Sequence, residues 1–135
     1  MKFKCNICVT LLVALFMRSN KGFLITRPRH EILLTLLFYW SRPVVDEAQV
    51  KQFRIFDLEG DKANRETFTS YMTKNKPALI FFNGHGSDNV IMGHDNAVLV
   101  ETNDGAELLR DTVVYARSCN AAKMIWPNYL LSHQI

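Results

Sequence analysis

The run from Ala78 to Phe82 is the feature that most restricts the fold, because every residue in it is apolar. A half-exposed strand alternates apolar and polar residues, so a continuous apolar run indicates a strand that is buried on both faces. Strands of this kind occur mainly in parallel sheets that are covered by helices. The sequence therefore predicts a central strand here, in a sheet of the α/β class.

Three further segments have strand patterns and alternate with helical patterns along the chain. They are Phe23–Thr26, Phe53–Asp57 and Thr112–Ala116. Alternating strands and helices predict one parallel sheet with helices on both faces, a three-layer α/β/α sandwich. We expect the spatial order second, first, third and fourth strand. Val90–Met92 and Ala97–Val100 flank the turn Gly93–Asn96 and predict a β-hairpin.

Apolar spacing predicts two helices between the first and second strands. The first has an apolar face at helical spacing, formed by Ile32, Leu33, Leu36, Leu37 and Trp40. Pro43 interrupts the helical hydrogen-bond pattern, so a break is expected there. A second helical stretch runs from Val44 to Gln52.

A third helix is predicted before the central strand. Asn64 is a good N-cap, and Glu66 lies in the first turn, where a negative charge is favourable. Phe68, Tyr71 and Met72 supply its expected buried face. A short helix is also expected around Glu107–Leu109.

Composition and charge are those of one small globular domain. The chain has 135 residues, 48% of them hydrophobic and 21% charged, with a net charge of +3. Lys and Arg are scattered, so a nucleic-acid-binding face is not indicated. The core is assigned to residues 22–135.

Residues 1–21 form a separate hydrophobic N-terminal segment. Lys2 and Lys4 precede an apolar run from Cys5 to Met17, which resembles part of a signal peptide but has no small-residue cleavage site. The run is shorter than a bilayer span requires. A signal or anchor at residues 5–17 and an additional buried segment both stay open, with a cytoplasmic location favoured. Cys5 and Cys8 are interpreted as small apolar residues, not as half of a metal or redox motif.

His85 and Cys119 are the candidate catalytic residues. Each follows a predicted parallel strand, and in such sheets ligands bind beyond the carboxyl ends of the strands. A thiol attacks a carbonyl as the thiolate, and a neighbouring histidine takes up its proton and later passes it to the leaving amine. The glycines beside His85 allow a sharp turn, so the amides of Gly86 and Cys119 are candidates for an oxyanion hole.

At these residues the chain resembles the caspase-like cysteine peptidases, the group that includes caspases, legumain, gingipain and the bacterial CHAT peptidases. The stretch from His85 to Asn96 is similar to their histidine strand and hairpin. Val113–Cys119 resembles the apolar strand that leads to their nucleophile. The resemblance spans roughly residues 23–122. It implies a caspase-haemoglobinase-like fold, with His85 as general base and acid, Cys119 as nucleophile and Gly86 as an oxyanion donor.

The chain also departs from the family that it resembles. The residues around Cys119 read Arg-Ser-Cys-Asn-Ala-Ala, unlike the Gln-Ala-Cys-Arg-Gly of true caspases, which favours a prokaryote-like relative. The family has further strands after its nucleophile, whereas Lys123–Ile135 is too short for them. The core is therefore expected to be incomplete at the C-terminus. The expected partners are a peptide or protein substrate and a completing chain, or a second copy, at the exposed sheet edge.

The residues themselves leave three functions other than a peptidase open. A caspase-like interaction module would keep His85 and Cys119 but bind without cleaving. A metal site from His85, His94, Asp95 and Cys119 has suitable ligand types, although His94 and Asp95 also suit a hairpin turn. Asp57 at a strand end suggests a phospho-acceptor but lacks an acidic pair after the first strand. No metal and no cofactor is predicted.

Overall fold

The structure is a computed structural model, and it describes residues 21–119. Its strands and helices follow one another in the order β1 (Gly22–Arg27), α1 (Ile32–Trp40), α2 (Arg42–Val50), β2 (Arg54–Glu59), α3 (Arg65–Asn75), β3 (Leu79–Asn83), β4 (Val90–Met92), β5 (Val98–Glu101) and β6 (Val113–Arg117). Three short 3₁₀ turns cover Gly60–Lys62, His94–Asn96 and Ala106–Leu109. Residues 1–20 of the predicted N-terminal segment and the tail from Lys123 lie outside the described residues.

Four strands form one parallel sheet in the order β2-β1-β3-β6. The central strand β3 pairs with β1 through Ile25 and Phe81, and with β6 through Phe81 and Tyr115. The predicted strands, their parallel pairing and their order are therefore confirmed. The predicted hairpin is confirmed as well, because β4 and β5 pair antiparallel as a separate two-stranded sheet.

Helices cover both faces of the parallel sheet. On one face, Phe23, Ile25 and Phe81 pack with Val45 and Ala48 of α2. The opposite face packs against α3 and the hairpin, and its cluster contains Leu24, Phe56, Leu58, Phe68, Met72, Ile80, Phe82, Ile91, Leu99, Val100 and Leu109. Neighbouring residues of β1 thus point to opposite faces, as a strand requires. The fold is an α/β sheet with helices on both sides.

Helix α1 is confirmed, but its predicted buried face is wrong. Leu34 and Phe38 are the buried residues, whereas Ile32 is 84% exposed and Trp40 63% exposed. Phe38 packs below the guanidinium groups of Arg27 and Arg29. The helix is apolar nearly all round, so its sequence has no polar face to mark the side that faces solvent.

The break between α1 and α2 falls at Ser41. Pro43 lies in the first turn of α2, where its missing N–H group costs little, so the helix begins before this proline. The Ser41 hydroxyl donates to the carbonyl of Phe38 at 2.7 Å and is fully buried. The predicted interruption is confirmed, but α2 starts at Arg42 rather than Val44.

Helix α3 begins as its sequence predicts. The Asn64 side chain accepts a hydrogen bond from the Thr67 N–H group at 2.9 Å, the geometry of an N-cap. Phe68 and Met72 are buried, whereas Tyr71 is 38% exposed and its ring contacts the ring of Phe56. Tyr71 was therefore wrongly assigned to the core.

Strand β6 lies at one edge of the sheet among the described residues. Val113 and Tyr115 on one of its faces are 64% and 59% exposed.

Within residues 21–119, no helix is both long and apolar enough to cross a membrane.

Candidate functional site

Polar side chains connect the carboxyl ends of three parallel strands. Thr26 is the penultimate residue of β1, Asn83 ends β3, and Arg117 ends β6. Asn83 is 1% exposed; its amide donates to the Thr26 carbonyl at 2.9 Å, and its Oδ1 accepts from Arg117 at 2.7 and 2.9 Å. The Thr26 hydroxyl donates to the carbonyl of Asn83 at 3.1 Å. This network holds together the edge from which the candidate catalytic loops emerge.

Arg117 also attaches helix α1 to this edge. Its guanidinium donates to the carbonyl of Leu37 at 2.9 Å and lies 5.5 Å from the centre of the Phe81 ring. Burial lowers the pKa of the Arg117 guanidinium, and the smaller effect of Tyr115 acts in the opposite direction. Arg117 is thus a structural cation that positions the segment carrying Cys119.

The loop that carries His85 is held by the hairpin. The carbonyl of His85 accepts from the Met92 N–H group at 2.9 Å, and the Ser87 N–H group donates to the carbonyl of Val90 at 3.0 Å. Gly84 packs so closely on the carbonyl of Met92 that a Cβ atom there would overlap it. A glycine is therefore required immediately before His85.

The His85 ring is paired with Glu31, a residue that the sequence analysis missed. Nε2 of His85 lies 2.5 Å from Oε1 of Glu31, and the two side chains are 33% and 44% exposed. An ionised carboxylate only accepts hydrogen bonds, so this contact places the ring proton on Nε2 and leaves Nδ1 as the basic nitrogen. Glu31 precedes the first residue of α1 and so lies at the same edge of the sheet as His85.

The backbones of the His85 and Cys119 motifs come into direct contact. Asn83 and Arg117 are register partners, and His85 and Cys119 each follow two residues later. A Cβ atom built on Gly86 would lie 2.7 Å from the Ser118 hydroxyl and 2.8 Å from the carbonyl oxygen of Cys119. Only a glycine fits between these two segments.

The Gly86 backbone lies in the contact between the His85 loop and the hairpin. Gly86 faces Ile91 in an antiparallel bridge. The two hydrogen bonds of this bridge are made by neighbouring residues: the Met92 N–H group donates to the His85 carbonyl, and the Ser87 N–H group donates to the Val90 carbonyl. The Gly86 N–H group thus takes no part in them. That arrangement suits an oxyanion donor, and this role of Gly86 stays a prediction.

Cys119 is an exposed free thiol. Beside it, the hydroxyl oxygen of Ser118 is buried and has no hydrogen-bond partner among the described residues. We predict that the reactive atoms of Cys119 and His85 lie within about 3 to 7 Å of each other, because the contacts of a catalytic pair are often long before substrate binds.

The alternative metal ligands do not group as the sequence analysis placed them. His94 and Asp95 lie with His30, and His85 lies with His30 and Glu31. Neither of these groups, found among residues 21–119, includes Cys119. His30 is the residue that both share, and sequence reasoning did not single it out.

Asp57 has a structural partner. Both of its carboxylate oxygens accept hydrogen bonds from the Arg27 guanidinium, which is itself buried. A bidentate pair of this kind connects the ends of β1 and β2. This contact accounts for the acidic residue without a phospho-acceptor role.

Comparison with known proteins finds no family model that matches this chain and no curated protein with significant similarity to it.

Proposed function

We propose that the chain carries the catalytic core of a cysteine-type endopeptidase, in which His85 and Cys119 form the dyad and Glu31 orients the imidazole. The observation that carries the proposal is the close packing of Gly86 on Ser118 and Cys119, next to a histidine whose Nε2 contacts a carboxylate. The caspase-like resemblance of the two motifs supports the same assignment. The fold class is compatible with it.

The chemistry follows from the protonation of the ring. Cys119 loses its proton to Nδ1 of His85, and the sulfur attacks the carbonyl carbon of the scissile peptide bond. The oxyanion is bound by the N–H groups of Gly86 and Cys119. His85 then gives its proton to the departing amine, which leaves an acyl-thioester. Water, deprotonated by His85, hydrolyses the thioester and restores the thiol.

Glu31 acts on this sequence through His85. Its carboxylate holds Nε2–H, which keeps Nδ1 available for the thiol proton and stabilises the imidazolium that forms. Glu31 is therefore a positioning residue, since it is bonded to the base and not to the thiol.

Covalent labelling tests the nucleophile. In a chain with Cys5→Ser and Cys8→Ser, a peptide-derived electrophile is expected to modify Cys119, as located by mass spectrometry of the digested protein. The Cys119→Ala variant is expected to take up no label. If the peptide electrophile reacts no faster than a simple haloacetamide of equal intrinsic reactivity, the chain lacks a substrate-binding thiol and the proposal is wrong.

Replacing Glu31 tests the positioning role. Glu31→Gln keeps the side-chain size but removes the charge that stabilises the imidazolium, so proton transfer from the thiol becomes less favourable. We expect the labelling rate at pH 7 to fall about threefold to tenfold, and its rise with pH to move to higher pH. Stopped-flow labelling across pH 5 to 9, about the range in which a thiol–imidazole pair titrates, measures both.

Glu47→Gln is the matched control for this variant. Glu47 is an exposed helical carboxylate that pairs with Lys51 at 3.1 Å, and its replacement should leave the rate profile unchanged. A rate fall in Glu31→Gln with no displacement of the profile would mean that Glu31 has a structural role only.

A non-catalytic interaction module is the second candidate. The outer edge of β6, which pairs with no strand within residues 21–119, and the exposed side chains of Val113 and Tyr115 favour it, because such edges accept a strand from another chain. A completing chain or a second copy would bind there. Self-association that persists in Cys119→Ala, without selective labelling of Cys119 in the parent chain, would favour binding over cleavage.

A further inference from the structure

The His30 ring lies between two other histidine rings, one of them that of the candidate base His85. The centre of the His30 ring lies 5.0 Å from that of His94 and 6.2 Å from that of His85. His85 already has a partner in Glu31. The rings of His30 and His94 each have one ring nitrogen that is buried and makes no hydrogen bond within residues 21–119, Nε2 in His30 and Nδ1 in His94.

Buried polar atoms without a partner are costly, about 1 to 3 kcal/mol each. Two such nitrogens, in rings whose centres lie 5.0 Å apart, point to a ligand that both rings could bind. Asp95 adds a carboxylate, and one ligand atom from each of the three residues lies within 4.8 Å of the other two. A cavity of about 720 Å³ opens beside them and is lined by His30, His94, Glu59 and Asp61 among others.

We propose that His30, His94 and Asp95 form a binding site for a divalent transition-metal cation of the zinc class. Two imidazole nitrogens and one carboxylate oxygen are ligands that suit Zn²⁺, whereas Mg²⁺ and Ca²⁺ prefer oxygen ligands alone. The adjoining cavity gives the cation a route of entry and room for a water molecule as a fourth ligand. This proposal does not depend on the peptidase assignment.

The hairpin places these ligands. The His94 N–H group donates to the carbonyl of Ala63 at 2.8 Å, and Gly93 packs against the same carbonyl so tightly that no Cβ atom would fit. Asp95 follows in the left-handed region, with φ of 50°. The backbone around His94 is therefore held against the turn before α3, and the tip that carries Asp95 is strained.

Metal binding changes one hydrogen bond at the tip. The Asp95 N–H group donates to Nδ1 of His30 at 3.0 Å, which makes Nδ1 an acceptor and puts the ring proton on Nε2. Ligation through Nε2 requires the opposite tautomer, so the Asp95 N–H group must turn away. Ligands of one tetrahedral zinc lie about 3.3 Å apart, whereas the ligand atoms here lie within 4.8 Å of one another, so the side chains must also approach by up to about 1.5 Å.

Calorimetric titration with ZnCl₂ tests the site. The chain carries Cys5→Ser, Cys8→Ser, Cys119→Ser and His133→Gln, so the three clustered histidines are its only imidazoles and no thiol competes. We expect saturable binding of one Zn²⁺ that weakens as the pH falls, because histidine binds metal only when neutral. MgCl₂ at the same concentration is expected to give no binding.

Single substitutions then locate the ligands. His30→Gln and His94→Gln should each weaken Zn²⁺ binding more than about tenfold. Loss of a residue that only hydrogen-bonds to a metal ligand already weakens binding by about that factor. His85→Gln is the matched control, since it removes the third ring but leaves all three proposed ligands; its affinity should equal that of the parent. Circular dichroism checks that each variant is folded. In the parent, Zn²⁺ should displace the Asp95 amide signal in an NMR spectrum.

Three results would overturn the assignment. They are the absence of saturable Zn²⁺ binding, binding that His94→Gln leaves intact, and binding that His85→Gln weakens. The last would place the cation on His30, Glu31 and His85 instead. Failure of Cys119 labelling, by contrast, would refute the peptidase proposal and leave the metal result unaffected.

Discussion

His85→Ala is expected to slow the reaction of Cys119 with a haloacetamide about tenfold to thirtyfold at pH 7. A free thiol is only a few per cent ionised at this pH, so a base that takes up the proton can raise the reactive share by about thirtyfold at most. Peptide hydrolysis should lose more, about 10² to 10⁴-fold, because the leaving amine also needs a proton from His85. Labelling is measured on purified chains with Cys5→Ser and Cys8→Ser, and hydrolysis on the same chains with the missing strands supplied in cis or by a completing chain.

Asn89→Ala is the control for this variant. Asn89 is exposed and lies in the same loop, four residues beyond His85, so the variant alters the loop without removing an imidazole. Its labelling rate should equal that of the parent. If His85→Ala reacted as fast as the parent chain, His85 would not act on the thiol and the dyad would have to be abandoned.

Asn83→Leu is expected to lower the free energy of unfolding by about 3 kcal/mol. The substitution keeps the volume of the side chain but removes the acceptor of Arg117 and the donor to the buried Thr26 carbonyl. Groups that stay buried without partners cost about 1 to 3 kcal/mol each, and more when charged. The Arg117 guanidinium still donates to Leu37, which limits the loss. Urea unfolding, followed by circular dichroism, measures the change.

Two further variants serve as controls for this prediction, Asn103→Ala and Asn83→Asp. Asn103 is exposed, and its replacement should change the stability by less than about 0.5 kcal/mol. Asn83→Asp keeps the acceptor for Arg117 and loses only the donor to Thr26, so it should fall between the parent and Asn83→Leu. A loss below about 1 kcal/mol in Asn83→Leu would show that this network does not hold the strand ends together.

The parallel sheet was readable in the sequence because its signals are local. An apolar run such as Ala78–Phe82 needs burial on both faces wherever it lies, and the alternation with helices then leaves few topologies. The same reasoning puts His85 and Cys119 at one edge, since each follows a strand of the sheet. The Asn64 cap is likewise a local hydrogen bond, complete within four residues.

Only the tertiary structure decided which side of α1 is buried. Its sequence has Thr35 as its one clearly polar residue, so a helical period predicts the helix but not its orientation. Leu34 and Phe38 face inward because of where the sheet and the Arg27 side chain lie. That information is not in the nine residues themselves.

The side-chain partners at the sheet edge also depend on the three-dimensional arrangement. Glu31 meets His85 across 54 residues of sequence, and His30 meets His94, which lies in the turn between β4 and β5. Periodicity describes neighbours within one element, whereas these contacts follow from strand order and loop packing. The sequence by itself determined the sheet and the positions of the candidate dyad. The carboxylate that contacts His85 and the ligands of the proposed metal site were decided by the fold, because packing alone brings such distant residues together.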